Sequence, residues 1–491
     1  SQYPDYENAT IEISGGKFSD DSCKDYLAEG YGIGRTYIES KNVWYTEVAE
    51  AVSEYDGMKY SSLQTAIEAS EDATKEITIL KDMEVSQLTV YLENKVTINL
   101  NGKNVNITGY EPNCTGVDIN GGSLTIKGSG SFGDSAQKNV NPLFYVNVGA
   151  SLTIEGDASY YSANVCAYAR YWNSKIYING GKWYGSETYT LNKYDTNQEA
   201  IISVTGGEFY KYNPAASHSE NPVANFVADG YGVVKDGDWY RVVKATEVTD
   251  EANLRSANTA GSAILINESI VLTEKNLSMQ DGTSLYVAKD VVLSSEFTGR
   301  YYMTLSYLNK GGVISGEGTI VAPDKKNSHT SAVQFDSRNK ELVIDGNLTI
   351  KGGVAGYWNG DEYKEGISPA IFIYDGKVTI NNGHFIGGID SETRNAGPAV
   401  YIYSNYVNNN AELIINGGVF ESATDDATFL INMDDNNLGA ASIQIKGGTF
   451  VGFNPADNTA DGAGTNYVAD GYVSTKTTYN SKDAWVVTKA K

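Results

Sequence analysis

The chain has 491 residues, 61 acidic against 37 Lys and Arg, for a formal charge of −24. Such a charge favours solubility and repels nucleic acid, anionic lipid and polyanionic sugars. Its 51 glycines follow no three-residue period, which excludes collagen, and a 41% hydrophobic content excludes disorder by composition.

In chain order, the first recognisable text is "ISGGKF" (Ile13–Phe18), followed by "DYLAEGYGI" (Asp25–Ile33) and "NVWYTEV" (Asn42–Val48). Both of the first two return later in better-kept copies. The chain therefore opens inside a pattern, without a signal peptide, and reads as a fragment or processed chain. The three cysteines, Cys23, Cys114 and Cys166, are too few for a disulfide framework and lack metal-ligand spacing. Buried free thiols are the expectation, with a Cys114–Cys166 bridge open if their coils stack. No apolar run is long enough to span a membrane, so no direct insertion is expected.

"SSLQTAIEAS" (Ser61–Ser70) carries a capping box, Ser61 with Gln64, and apolar Leu63, Ala66 and Ile67. A second helix signal lies at "TDEANLRSAN" (Thr249–Asn258), with Leu254 and Ala257 on one face. Each is followed by a strand, Ile77–Leu80 or Ala263–Ile266. A solenoid has an open apolar end, and a short amphipathic helix at the first coil covers it.

Between and after the helices one short motif recurs. It reads "INGGKW" (Ile178–Trp183), "VTGGEF" (Val204–Phe209), "INNGHF" (Ile380–Phe385), "INGGVF" (Ile415–Phe420) and "IKGGTF" (Ile445–Phe450). Looser copies sit at Leu124–Phe132, Leu152–Tyr160 and Leu348–Gly353. Aligned on the residue before the first glycine, Asn99, Lys127, Glu155, Asn179 and Thr205 are 28, 28, 24 and 26 residues apart; Lys351, Asn381, Asn416 and Lys446 are 30, 35 and 30 apart. This is solenoid spacing. A short alternating strand meets a Gly-Gly corner and then an aromatic, which should point inward and stack on its counterpart one coil away.

A second strand lies upstream in each coil: Ala332–Asp336, Ala370–Tyr374, Ala399–Tyr403 and Thr428–Asn432. Alternation points Val333/Phe335, Ile371/Ile373, Val400/Ile402 and Phe429/Ile431 inward. The expected fold is all-β, a right-handed parallel β-helix (solenoid) in tandem units, each with a short N-terminal capping helix. An antiparallel sandwich would not keep the same strand, corner and aromatic order coil after coil.

The nonapeptides "NFVADGYGV" (Asn225–Val233) and "NYVADGYVS" (Asn466–Ser474) close this pattern, as does the worn copy at Asp25–Ile33. Each follows a Gly-Gly-aromatic coil and precedes an aromatic strand, and Asp229-Gly230 and Asp470-Gly471 read as turns. The expected division is residues 1–45 as the tail of a preceding unit, 46–243 as one unit and 244–491 as the next.

Taken together, "YSSLQTAIEAS…EITILKD", "VTINLNGK", "INGGxF" and "YVADGYxV" resemble adhesin-like right-handed parallel β-helix repeat proteins of gut bacterial surfaces. Similar text occurs in phage tail, fibre and tailspike proteins. The resemblance spans nearly the whole chain. It implies a non-enzymatic extracellular, cell-surface adhesin or stalk whose partner is a glycan or a host surface protein. A phage fibre or tailspike segment, with or without polysaccharide depolymerase activity, and a purely structural spacer are the alternatives. A monomer is expected for the first reading and a trimer for the phage reading.

Long connections, Tyr184–Glu199, Val354–Pro369 and Ile386–Pro398, should project from one corner and form a binding face. Ligand-binding candidates there are Tyr357, Trp358 and Tyr363, with Phe372, Tyr374, Tyr401 and Tyr403 at outward strand positions; Tyr184, Tyr189 and Tyr194 are the counterparts in the first unit. Exposed rings suit the C–H faces of sugars. The plainer reading is that these residues are β-formers covering one another. No cofactor is expected, although the acidic loops at Asp425/Asp426, Asp434/Asp435 and Asp361/Glu362 with Glu365 can offer oxygens to a structural calcium. No catalytic residue is assigned: His218, His329 and His384 each lack an evident carboxylate partner, and no nucleophile, phosphate-loop or zinc signature occurs.

Overall fold

A computed structural model describes residues 10–109, 111–194, 199–220, 223–236, 238–296, 302–324, 329–403, 410–434 and 441–490. The chain divides into two compact units, Ser1–Ala228 with Asp238–Val242, and Asp229–Gly237 with Val243–Lys491. Both are built mostly of strands that pair in parallel with the equivalent strand of the next sequence repeat, an arrangement compatible with a parallel β-helix.

In the first unit three ladders of like residues run from repeat to repeat. Ile98, Ile126, Ile154, Ile178 and Val204 are register partners in one. Val105, Phe132, Tyr160, Trp183 and Phe209 form the second. Leu88, Val117, Phe144, Ala167 and Leu191 form the third. All are buried. Tyr160 and Trp183 stack at 4.6 Å, and Trp183 and Phe209 at 6.0 Å.

The second unit repeats the scheme. One ladder holds Ile264, Leu285, Ile314, Ile344, Ile380, Ile415 and Ile445. Another holds Ile270, Leu293, Ile320, Ile350, Phe385, Phe420 and Phe450. The third holds Leu277, Leu305, Val333, Ile371, Val400 and Ile431. Parallel pairing in register makes each aliphatic side chain cover the one below, so burial accumulates with every repeat.

Two expectations are corrected by this register. The true partner of Asn381 is Asp345, whose carboxylate accepts its amide at 3.1 Å, whereas Leu348–Gly353 belongs to the following strand, with Ile350 beside Phe385. Phe429 is 48% exposed and does not point inward. The strand formed there is Ile431–Met433, and it pairs Ile431 with Val400 and Met433 with Ile402.

Helix α1 (Leu63–Ala69) and helix α2 (Glu251–Ala257) bury Leu63, Ala66 and Ile67, and Leu254, respectively. The α1 cap differs from expectation: Ser62, not Ser61, accepts the Thr65 N–H, while the Ser61 hydroxyl turns to the Glu47 carbonyl. Asp250 caps α2, accepting the Asn253 N–H at 2.8 Å. Asp250→Ala should destabilise the second unit by about 1 kcal/mol in urea titrations, with Asp250→Ser near neutral. The cysteines are buried and free, so no Cys114–Cys166 bridge forms; burial pushes the Cys166 thiol up.

Each nonapeptide stands where another repeat would start. Its third residue bridges the residue two positions before the last Gly-Gly corner: Leu27 with Ile13, Val227 with Val204, and Val468 with Ile445. The same backbone pair flanks it in every copy, as in Val204 N–H to the Phe226 carbonyl and Ala228 N–H to the Val204 carbonyl, both 2.9 Å. The turn glycines Gly230 and Gly471 take φ of 76° and 80°. The aromatic strand that follows then runs antiparallel to the last coil, pairing Phe209 with Tyr240 and Phe450 with Trp485. The nonapeptide thus replaces parallel stacking by an antiparallel end.

Candidate functional site

Strand Ile371–Ile380 sends Ile371 and Ile373 into the core, so Phe372 and Tyr374 take the other face. Tyr401 is the register partner of Phe372 in the next repeat. Phe372 was expected to be exposed but retains only 2% of its surface. Tyr374, Tyr401 and Tyr403 lie 4.8, 5.4 and 5.8 Å from its ring, and His329 covers it from the preceding repeat at 5.3 Å. Burial also pulls the His329 pKa down. Tyr401 donates to Asp434 at 3.2 Å; Asp435 lies outside the described residues. These rings shield one another, as cross-strand neighbours do.

Tyr357, Trp358 and Tyr363 form a second group. Tyr357–Asn359 and Glu362–Lys364 make a small antiparallel hairpin that pairs Trp358 with Tyr363, rings 5.3 Å apart. Tyr363 is the anchor, donating to buried Asp390 at 2.5 Å. Burial raises the Asp390 pKa, but Tyr363 and the N–H groups of Gly366, Thr393 and Glu392 outweigh it and hold the carboxyl below its ordinary range. Glu365 accepts from Thr393 at 3.0 Å, so the second and third long connections are tied together. Trp358 remains 54% exposed.

A further aromatic surface, in the first unit, was not singled out from the sequence. Strand Ala167–Ala169 buries both alanines and turns Tyr168 outward beside Tyr145 of the preceding repeat, rings 5.7 Å apart. The next residue in successive repeats stacks by backbone hydrogen bonds: Asn120 on Val90, Asn147 on Ile119, Arg170 on Val146 and Tyr194 on Ala169. Arg170 therefore stands among rings. Its Nε and Nη1 donate to Tyr145 and Tyr168, both at 3.2 Å, and its guanidinium carbon lies 4.0 Å from the Tyr194 centroid and 5.1 Å from that of Tyr171. Partial burial pulls the guanidinium pKa down, but the Tyr145 and Tyr168 hydroxyls more than offset this and keep it above its ordinary value.

Past Arg170 the chain turns through Tyr171, Trp172 and Asn173. Trp172 is 67% exposed, and Tyr171, Val148, Leu92 and Tyr91 are exposed along the same corner. The Gly149 N–H donates to the Trp172 carbonyl at 3.1 Å, joining two of these turns. The legible signal was "YARYWN" (Tyr168–Asn173): two adjacent large rings in a turn cannot both enter the core. Of the other first-unit candidates, Tyr189 and Tyr194 are exposed, while Tyr184 stacks on Tyr161 at 4.6 Å.

His384 does have a carboxylate partner, contrary to expectation: its Nε2 lies 2.8 Å from Glu421. The pair forms because Val419–Glu421 is in register with His384–Ile386. Glu421, Asp425, Lys482 and Asp483 line a cavity of about 270 Å³, in which Lys482 approaches Asp425 at 3.4 Å and Asp483 is paired with Lys476. Among the described residues no three His, Cys, Asp or Glu side chains gather as metal ligands. No helix among them is long and apolar enough to cross a membrane.

No family model and no curated protein matches this chain. One solved structure is similar, that of a mutant of the periplasmic alginate epimerase AlgG, at 9% identity and TM-score 0.15 over 70% of this chain and 72% of that one. A likeness this slight carries no argument about activity.

Proposed function

We propose that this chain is an extracellular, non-enzymatic stalk of tandem, helix-capped right-handed parallel β-helix units that binds glycan on an exposed aromatic corner. The observation that carries the reading is Trp172, 67% exposed on a turn fixed by the strand ladders and flanked by Tyr171 and Arg170. An indole left in water forfeits about 2 kcal/mol of burial that a ligand can recover. Asp118, the register partner of Tyr145, accepts from the Asn147 amide at 2.5 Å, and these polar groups beside Tyr145 suit a ligand with hydroxyls at its edge. Trp358 on its hairpin supplies a second ring of the same kind, while Phe372, Tyr374, Tyr401 and Tyr403 cover one another and are not proposed as ligand contacts.

A glycan array probed with the intact chain tests this. Trp172→Ala should weaken binding by at least about tenfold, equal to ~1.4 kcal/mol. Trp358→Ala should weaken it less, and neither change should shift thermal unfolding, because both side chains are exposed. Binding unchanged in both variants would remove the proposal.

The runner-up, a depolymerase on a phage-type fibre, is favoured by one observation: two carboxylates four residues apart along the chain, Glu421 and Asp425, line one cavity. On that reading Glu421→Gln would abolish release of reducing ends from polysaccharide. We expect no release from either form.

A further inference from the structure

Resting on the glycan reading above, we infer that the Arg170 cluster selects saccharides bearing a single carboxylate. The chain has only seven arginines. Three others have carboxylate partners: Arg255 with Glu251 at 2.6 Å, Arg338 with Asp375 at 2.9 Å, and Arg35 with Glu68 at 4.0 Å. Arg170 has none within 4 Å among the described residues. Two of its five N–H donors are spent on the Tyr145 and Tyr168 hydroxyls, which fix the plane of the fork. The Tyr194 and Tyr171 rings hold it from the side. Its Nη2 group has no hydrogen-bond partner among the described residues. A planar guanidinium so held presents parallel donors, the geometry a carboxylate accepts bidentately. Trp172, two residues on, offers the adjacent ring for the pyranose face.

The overall charge sets the class of acid. At −24 the protein repels a polyuronate along its length. Salt screens that field over about 8 Å, so one carboxylate at one guanidinium escapes it. The fitting ligand is thus a neutral oligosaccharide with one acidic sugar, whether a sialic acid or a uronic acid.

The test is titration calorimetry on the intact chain with 3′-sialyllactose, glucuronic-acid-capped lactose and lactose. At least one acidic trisaccharide should bind about tenfold more tightly than lactose; which one does so identifies the acid. Arg170→Gln should erase that preference, bringing the acidic trisaccharide to the affinity the same variant shows for lactose, while Arg170→Lys, which keeps the charge but not the fork, should retain part of it. Circular dichroism melting of both variants checks that the tyrosine cluster still folds. Acids that bind no better than lactose, or a preference that survives Arg170→Gln in folded protein, would overturn the inference while leaving the glycan reading intact. Absence of binding by all three saccharides and by a glycan array would overturn both.

Discussion

Phe420→Ala is expected to destabilise the second unit by about 3–5 kcal/mol. Phe420 is fully buried and lies between Phe385 and Phe450, at 4.9 Å from each and within 14° and 5° of coplanar. Truncation removes two stacking contacts and opens a void between successive repeats. The void cannot close, because the backbone register on either side is held by Phe385–Phe420 and Phe420–Phe450 pairing. Phe420→Leu keeps much of the volume and should cost about 1–1.5 kcal/mol. Urea unfolding followed by far-UV circular dichroism reads both. The fitted transition must be the one assigned to the second unit, since a chain of two units need not unfold in one step. A loss below about 1 kcal/mol for Phe420→Ala would mean that the stack is not the core of that unit.

Gly447→Ala is the second large effect, about 1–3 kcal/mol. A Cβ at Gly447 would lie 2.1 Å from the carbonyl oxygen of Asn416 in the preceding repeat. That oxygen belongs to backbone and has no rotamer to relieve the overlap. The neighbouring Gly448 is glycine for another reason, its φ of 107°. One motif thus needs its first glycine for contact and its second for conformation. Gly15→Ala supplies the control. It alters the first glycine of "ISGGKF", but the nearest atom to its Cβ is Val48 O at 3.9 Å, so stability should change by less than about 0.5 kcal/mol. Equal effects at Gly15 and Gly447 would refute the contact explanation.

Much of this fold could be read from the chain because its determinants repeat. The Gly-Gly corners, the inward aromatics Trp183, Phe209, Phe385, Phe420 and Phe450, and the buried faces of α1 and α2 are local patterns, and each lies where its pattern places it. The misreadings share a cause. Whether Phe429 or Leu430 enters the core depends on which residue opposes Val400 some thirty positions away. Phe372 is at an outward position, yet rings from three repeats bury it. The His384–Glu421 pair arises across 37 residues and has no local signature. Register between repeats, which alternation within one strand leaves open, decides all three.

The same limit hid the corner at Arg170. Tyr145, Tyr168, Arg170 and Tyr194 come from three repeats and converge only when the ladders are in register. Trp358 was legible because its hairpin is local, with "NGD" at the turn (Asn359–Asp361). The expected single face therefore becomes a group of rings covering one another, a hairpin with one exposed indole, and a corner with a second. Three indoles are exposed, Trp44, Trp172 and Trp358, and Trp44 already has the Tyr37 ring beside it at 5.2 Å; Trp172 and Trp358, rather than the number of aromatics, mark the surfaces on which a ligand can gain burial.

The most direct measurement is capture of an oligosaccharide library on the immobilised chain, followed by mass spectrometry of what elutes. Wild-type protein should return a defined subset of saccharides at unchanged mass, and Trp172→Ala should return that subset at no more than about a tenth of the yield. Shortened or otherwise altered saccharides in the eluate, or equal recovery from Trp172→Ala, would contradict the glycan reading.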